Sequence, residues 1–171
     1  MSLLRILVLL LMTFCLAPAA RAEMEWQPYR SSVDGFSALF PGKPQEMQKD
    51  FGSGAMFHQF LVDDGNMAFM VIYTQYAPGT LVGKDPKRVL DKAKEGLFAG
   101  EKVTVRVDRS FEFALVPARE IVIDDAHGST QIYRLYLVGD RIYQVICGGP
   151  KGFEKTDEAQ RFEDSFRLLS R

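Results

Sequence analysis

Alternation of apolar and polar positions runs through most of the chain and predicts a protein built mainly of strands. Val103, Val105 and Val107 alternate with polar residues, as in a strand with one face in water. Between residues 67 and 73 both alternating sets are apolar, which predicts a strand buried on both faces. Further strands are predicted at 26–31, 36–40, 45–51, 55–62, 102–113, 116–124, 130–138 and 141–148.

Two segments have the apolar spacing of amphipathic helices. The first follows Asp85 as N-cap and Pro86 at the first helical position, and it ends at Gly100. The second starts near Thr156, and its apolar stripe consists of Ala159, Phe162, Phe166 and Leu169. Because the 67–73 strand needs cover on each side, the predicted fold is α+β: a mainly antiparallel β-sheet with helices on both faces, a three-layer α/β/α sandwich.

The pair Gly139-Asp140 predicts a two-residue hairpin turn, which fixes the register of the strands beside it. In that register Tyr136 lies opposite Tyr143, and Arg134 shares their face. An arginine among aromatic rings can stack on a ring and bind an anion. The alternative, which we favour, is that Arg134 pairs with an acidic residue at the edge of a helix.

The connection from residue 75 to residue 84 is longer than most loops and carries the apolar side chains of Tyr76 and Leu81. Loops of this kind often bind partners, and they also often only pack on the core. We take this loop and the adjacent sheet face as the preferred interaction surface.

The first 22 residues have the pattern of a cleavable secretory signal peptide. Arg5 precedes an apolar run at 6–16, and Ala20-Arg21-Ala22 gives the small-x-small exit. Residues 23–171 then form a single domain, periplasmic or secreted. No later segment is apolar enough to span a membrane, and 21 basic against 22 acidic side chains do not favour nucleic acid.

Candidate reactive groups are few, and no catalytic residue, metal site or cofactor is expected. Cys147 is the only cysteine after the leader and is expected to be a small buried residue. His127 with Asp124 and Asp125 could contribute to a metal site, although the segment is also a good solvated turn, which we favour.

The closing blocks at 133–145 and 161–168 resemble the end of PsbP/Mog-type α/β/α sandwich domains and of uncharacterised bacterial exported proteins like them. The shared pattern is a tyrosine-rich hairpin, a short loop and a helix with a Ser-Phe pair, here Ser165-Phe166. The Phe-Pro-Gly-Lys-Pro run at 40–44 resembles their opening. The resemblance implies a non-enzymatic domain that docks onto protein assemblies; its known relatives serve a photosynthetic complex or a small GTPase.

The predicted function is an exported, non-catalytic binding or accessory module of the bacterial envelope that docks onto a protein assembly of unknown identity. The alternative is a small-ligand-binding protein or an enzyme with a pocket near Arg134, Tyr136 and Tyr143. Together with Tyr76 and Leu81, these three residues form the predicted ligand or partner surface.

Overall fold

Antiparallel β-structure makes up most of the chain in the computed structural model, which describes residues 24–52 and 54–169. The predicted signal peptide lies outside the described residues. The elements in chain order are β1 (Gln27–Ser31), β2 (Phe36–Phe40), β3 (Gln45–Asp50), β4 (Met56–Asp63), β5 (Ala68–Gln75), α1 (Pro86–Leu97), β6 (Val103–Phe113), β7 (Val116–Asp125), β8 (Ser129–Val138), β9 (Arg141–Pro150), a 3₁₀ turn (Phe153–Lys155), α2 (Asp157–Ser165) and β10 (Arg167–Leu168).

The strands form two sheets. Seven of them lie in the order β3-β4-β5-β9-β8-β7-β6, and β1, β2 and β10 form a smaller sheet in the order β1-β2-β10. In the β8–β9 hairpin Tyr136 pairs with Tyr143 and Val138 with Arg141. The register that the Gly139-Asp140 turn predicts is therefore confirmed.

The main core lies between the two sheets and is dominated by aromatic rings. Its fully buried members include Phe36, Phe40, Phe69, Tyr136, Phe162 and Phe166. On the other face of the large sheet, Val89 and Leu90 of α1 pack against isoleucine and leucine side chains of β7, β8 and β9. One face of the large sheet is therefore covered by the small sheet and α2, and the other by α1.

The predicted three-layer α/β/α sandwich with helices on both faces is wrong. The molecule is mostly antiparallel β-structure in two sheets, with two α-helices in the described ranges. The reason lies in β1 and β2, which pair with each other and with β10 instead of extending the large sheet. A second sheet, with the short α2 beside it, therefore occupies the place assigned to a helical layer.

The second predicted helix also ends earlier than its apolar stripe suggested. The hydroxyl of Ser165 donates to the Phe162 carbonyl at 2.7 Å and accepts from the Leu39 N–H at 2.8 Å. Phe166 is already extended, and Leu168 pairs with Phe36 in the small sheet. The two stripe residues beyond Ser165, Phe166 and Leu169, therefore flank the short strand β10 and are not part of the helix.

The expectation that residues 67–73 are buried on both faces holds only in part. Phe69, Val71 and Tyr73 are buried in the main core, and Ile72 is buried on the opposite face. Ala68 and Met70 on that face are partly exposed. Because α1 packs mainly on β7 and β8, it leaves this end of β5 less covered.

The tip of the β6–β7 hairpin holds two consecutive non-glycine residues in the left-handed region. Ala114 has φ 48° and Leu115 φ 66°, and the Leu115 side chain is 87% exposed. Two-residue hairpins with this geometry normally use Asn-Gly, because a Cβ is disfavoured there. Leu115 thus has strain without compensating burial.

We expect Leu115→Gly to raise the free energy of unfolding by about 1 kcal/mol, because it relieves the backbone strain and exposes no core. Urea denaturation of the variant and the wild type measures the change. The matched reverse substitution is Gly139→Ala in the β8–β9 turn, where φ is 57° and no atom crowds the new Cβ. It should lose a similar amount, and a destabilised Leu115→Gly would contradict the argument.

Candidate functional site

The loop between β5 and α1 is held in place by Asp140 of the β8–β9 turn. The Asp140 carboxylate accepts hydrogen bonds from the Gly79 and Leu81 N–H groups at 2.7 and 2.6 Å. The Tyr76 N–H donates to the Asp140 carbonyl at 2.9 Å. The bonds from Leu81 and Gly79 also hold the pKa of Asp140 below its usual range. The loop is therefore fixed to the sheet.

A groove of about 540 Å³ lies between this loop, α1 and the sheet. Its floor is largely apolar, with Leu81, Val89 and Ile142 buried and Tyr76 partly buried. Burial raises the pKa of Tyr76 above its usual value. The residues that line the groove are Tyr76, Thr80, Leu81, Lys84, Asp85, Arg88, Val89, Lys92, Ala93 and Ile142; we call it the cationic groove because of its rim.

Three cations, Lys84, Arg88 and Lys92, form the rim. All three are exposed, and their side chains make no ion pair or hydrogen bond with any residue that the structure describes. The lining has one acid, Asp85, whose carboxylate caps α1 by accepting from the Lys87 N–H at 3.0 Å. The rim therefore carries unpaired positive charge above an apolar floor.

The side of α1 that meets the sheet is fixed by ion pairs. Arg119 of β7 bonds Asp91 of the helix and also Asp108 of β6, with Nε–Oδ1 at 2.6 Å. Lys94 Nζ lies 2.5 Å from Asp108 Oδ2. Mainly through the Arg119 bond, the pKa of Asp108 falls to about 2. These contacts fix the orientation in which α1 presents Arg88 and Lys92.

Arg134 and Tyr136 lie on the opposite face of the large sheet, away from Tyr76 and Leu81. Arg134 Nε is 3.1 Å from Glu120 Oε2 and 3.0 Å from Glu163 Oε1 of α2. This is the favoured interpretation of Arg134, an arginine paired with acids at a helix. Tyr136 is 1% exposed and stacks on Phe166 at 5.1 Å. Neither Arg134 nor Tyr136 lines the cationic groove.

Glu163 is a buried acid that the sequence analysis did not single out as a site residue. Burial raises its pKa to about 7, although the charge of Arg134 acts in the opposite direction. Its Oε1 lies within ion-pair distance of Arg134, but no residue in the described part of the chain forms a hydrogen bond with it. A carboxyl group that is buried on the inner side of α2 ionises less readily near neutral pH than an exposed one.

Tyr143 lies in a second cavity, of about 460 Å³, on the other side of the 75–84 loop. Its hydroxyl donates to the Asp34 carbonyl at 2.7 Å and accepts from Arg141 Nη1 at 2.9 Å. Sequence analysis missed Arg141. Its signal was the alternation of Arg141 with Tyr143 along the same strand, which places both on one face.

The predicted turn at residues 124–128 forms, and its acids are used within the protein. Asp125 Oδ1 accepts from the N–H groups of His127 and Ser129, and Asp124 accepts from Thr130 and pairs with Arg106. The described part of the chain holds no group of three or more potential metal-ligating side chains.

Cys147 is buried, as predicted. Burial raises the pKa of its thiol well above the usual value. In residues 24–52 and 54–169, neither helix has the length and apolar character needed to cross a bilayer.

Comparison with known proteins shows similarity in structure only. No protein-family model matches the chain, and no curated protein matches its sequence. The solution structure of cyanobacterial PsbP (CyanoP) from Synechocystis sp. PCC 6803 is similar, with a TM-score of 0.57 and 10% identity, over 88% of this chain and 96% of that one. A protein of unknown function from Pseudomonas aeruginosa, PA94, described as a putative regulator, aligns with a TM-score of 0.48 and 7% identity, over 86% and 98%.

At 10% identity the similarity to CyanoP is evidence about the fold alone. It agrees with the resemblance carried by the two ends of the sequence, and it covers nearly the whole of both proteins. The chain therefore has a PsbP-like fold.

Proposed function

We propose that the chain is an exported, non-catalytic binding module that docks onto a protein assembly of the bacterial envelope through the cationic groove. The observation that carries the proposal is the rim of Lys84, Arg88 and Lys92, unpaired in the described structure above an apolar floor. The signal-peptide pattern supports export, and the PsbP-like fold is compatible with an accessory role.

Two of the three rim cations lie on α1, and they do not stabilise that helix. Arg88 and Lys92 are four residues apart on α1, and like charges at this spacing destabilise a helix by about 0.2–0.5 kcal/mol. Elsewhere on α1, by contrast, Lys87 pairs with Asp91 at 3.0 Å. An anionic partner would relieve this repulsion, because it would supply the carboxylates that the rim lacks.

The occupant that fits is an acidic segment of a partner protein with one or two large apolar side chains. The apolar side chains would bury against Leu81 and Ile142, and Asp or Glu residues beside them would meet the rim. Apolar contact supplies most of the affinity, while the charges fix orientation and speed association.

The test is capture of envelope proteins by the tagged exported domain, comparing the wild type with the double variant Arg88→Glu/Lys92→Glu. Lys155→Glu is the matched control, since Lys155 is exposed and lies outside the groove. A partner captured by the wild type and by the control is then titrated as a purified protein. The double reversal should weaken its binding by about tenfold or more, and added salt should weaken wild-type binding.

Thermal unfolding of each variant confirms that the fold is retained. Equal affinity for the wild type and the double variant would refute the groove as the docking site, and so would an equal loss in Lys155→Glu. Binding to anionic lipid vesicles in place of any protein would refute a protein partner.

A further inference from the structure

Arg141 is a buried cation without a counter-charge in the described structure. It is 8% exposed and makes no ion pair with any described residue. Its Nε donates to Gln75 Oε1 at 2.9 Å, and its Nη1 donates to the Tyr143 hydroxyl and the Asp34 carbonyl. The guanidinium lies 4.0 Å from the centre of the Tyr73 ring. All of these partners are uncharged.

Other arginines of the large sheet show how unusual this is. Arg134 lies beside Glu120 and Glu163, Arg119 beside Asp91 and Asp108, and Arg106 beside Asp124 and Glu154. Burying a charge is costly unless it is paired. A buried arginine with only neutral partners therefore leaves a strong preference for an anion.

The acids nearest to Arg141 are committed to other groups. The Asp34 carboxylate accepts hydrogen bonds from the hydroxyls of Ser31 and Tyr73. The Asp140 carboxylate accepts the backbone N–H groups of the 75–84 loop. Neither pairs with the guanidinium, whose Nη2 has no hydrogen-bond partner among residues 24–52 and 54–169.

Arg141 opens onto the cavity of about 460 Å³, which we call the arginine cavity. Most of the other lining side chains are apolar or aromatic: Pro78, Val138, Tyr143, Leu168 and Leu169. The lining also includes Gln75, which bonds Arg141, and Asp140, whose carboxylate accepts the Gly79 and Leu81 N–H groups. Cavities of this size can hold a small organic molecule. A cation and aliphatic side chains in the lining of one cavity suit a carboxylate with an apolar body, and Arg is the side chain best shaped to hold a carboxylate.

From these observations we infer that the arginine cavity binds a small monocarboxylate with an apolar chain, whose carboxylate pairs with Arg141. The site is separate from the cationic groove, and the inference does not depend on the proposed docking function. Arg141 is a binding residue in this assignment, and Tyr143 and Gln75 are positioning residues that hold its guanidinium.

The experiment titrates the exported domain with hexanoate, hexanamide and inorganic phosphate, followed by the chemical shifts of backbone amides around the cavity. Hexanoate should bind saturably, with a dissociation constant of about 1 mM or tighter. Hexanamide, which lacks the charge, and phosphate, which lacks the apolar chain, should each bind about tenfold more weakly or worse.

Two variants locate the site. Arg141→Gln removes the charge and should weaken hexanoate binding about tenfold or more. Leu169→Trp fills the cavity without touching the guanidinium and should abolish binding, which keeps the test decisive if Arg141→Gln fails to fold. Arg88→Gln, in the cationic groove, is the matched control and should leave hexanoate affinity unchanged.

No saturable hexanoate binding by the wild type would overturn the assignment. So would equal affinity for hexanamide or phosphate, wild-type affinity in Leu169→Trp, or an equal loss in Arg88→Gln. None of these outcomes tests the proposed docking function, because the docking variants change the cationic groove on the opposite side of the 75–84 loop.

Discussion

Replacing Phe162 with alanine is expected to lower the free energy of unfolding by about 3–5 kcal/mol. Phe162 is fully buried and is the largest side chain that α2 places in the core between the sheets. Its ring packs edge-on against Phe40 at 5.3 Å and Phe69 at 5.4 Å, so it joins the small sheet to the large one. Truncation would leave a cavity that rigid rings on either side cannot fill.

Urea denaturation measures the loss, with Phe51→Ala as the matched control. Phe51 is 54% exposed and should lose about 1 kcal/mol or less on the same truncation. A loss at Phe162 no greater than the loss at Phe51 would mean that α2 is not an essential part of the core.

The second large effect is a dependence of stability on pH that Glu163 controls. Its pKa rises from 4.5 in the unfolded chain to about 7 in the folded one, chiefly through burial. The folded chain therefore holds this proton more tightly, and the stabilisation is full below pH 4.5 and is lost as the pH rises through about 7. The full shift corresponds to about 3 kcal/mol.

Glu163→Gln removes this titration and also the ion pair between Glu163 and Arg134. The raised pKa of Glu163 shows that the cost of burying its charge outweighs that pair. The variant should be more stable than the wild type above neutral pH, by on the order of 2–3 kcal/mol, and the advantage should disappear in mild acid. Unfolding free energies of both proteins across this range measure the difference. Arg134 keeps its ion pair with Glu120 in the variant.

The stability of the variant is compared with that of the wild type at each pH because His58 has the opposite effect on the pH dependence of stability. Burial lowers the pKa of His58, so this residue destabilises the fold as the pH falls below 6.5. That contribution is common to both proteins and cancels in the difference. A stability difference for Glu163→Gln that does not change with pH would contradict the buried carboxyl.

Local signals in the sequence predicted the local structure well. Asp85 caps α1 as its side chain predicts, α2 begins directly after Thr156 as predicted, and Gly139-Asp140 sets the register of β8 and β9. Each of these signals depends on a few neighbouring residues, whose hydrogen bonds or turn geometry are fixed by residue type.

The arrangement of the layers could not be predicted from local sequence signals. The pattern predicts strands at 26–31 and 36–40, but nothing in it says that they pair with each other, or that the second pairs with Arg167–Leu168 and not with the edge of the large sheet. Phe166 has the spacing of a helix face and also serves in an extended segment, since the Ser165 hydroxyl ends α2 one residue earlier. Sheet membership depends on contacts between distant parts of the chain.

The candidate sites were predicted unevenly for a related reason. Tyr76 and Leu81 were singled out from loop length, and they line the groove that carries the docking proposal. Lys84 of the rim lies at the end of the loop, and Arg88 and Lys92 lie on a helix face that has the sequence of an ordinary solvated surface. Arg134 and Arg141 lie on the same face of the same hairpin, and only the positions of Glu120 and Glu163 decide which of them is neutralised.

The anchoring of the 75–84 loop on Asp140 has a thermodynamic consequence. Gln75 and Pro78 face the arginine cavity, while Leu81 and Lys84 face the cationic groove, so one short segment forms a wall of both. If filling one of them shifts this wall, affinity at the other changes by a set factor, and linkage requires the same factor in the reverse direction. Asp140→Ala, which removes the carboxylate bonds to the Gly79 and Leu81 N–H groups, would change this coupling factor while leaving Arg141 and the three cations in the chain.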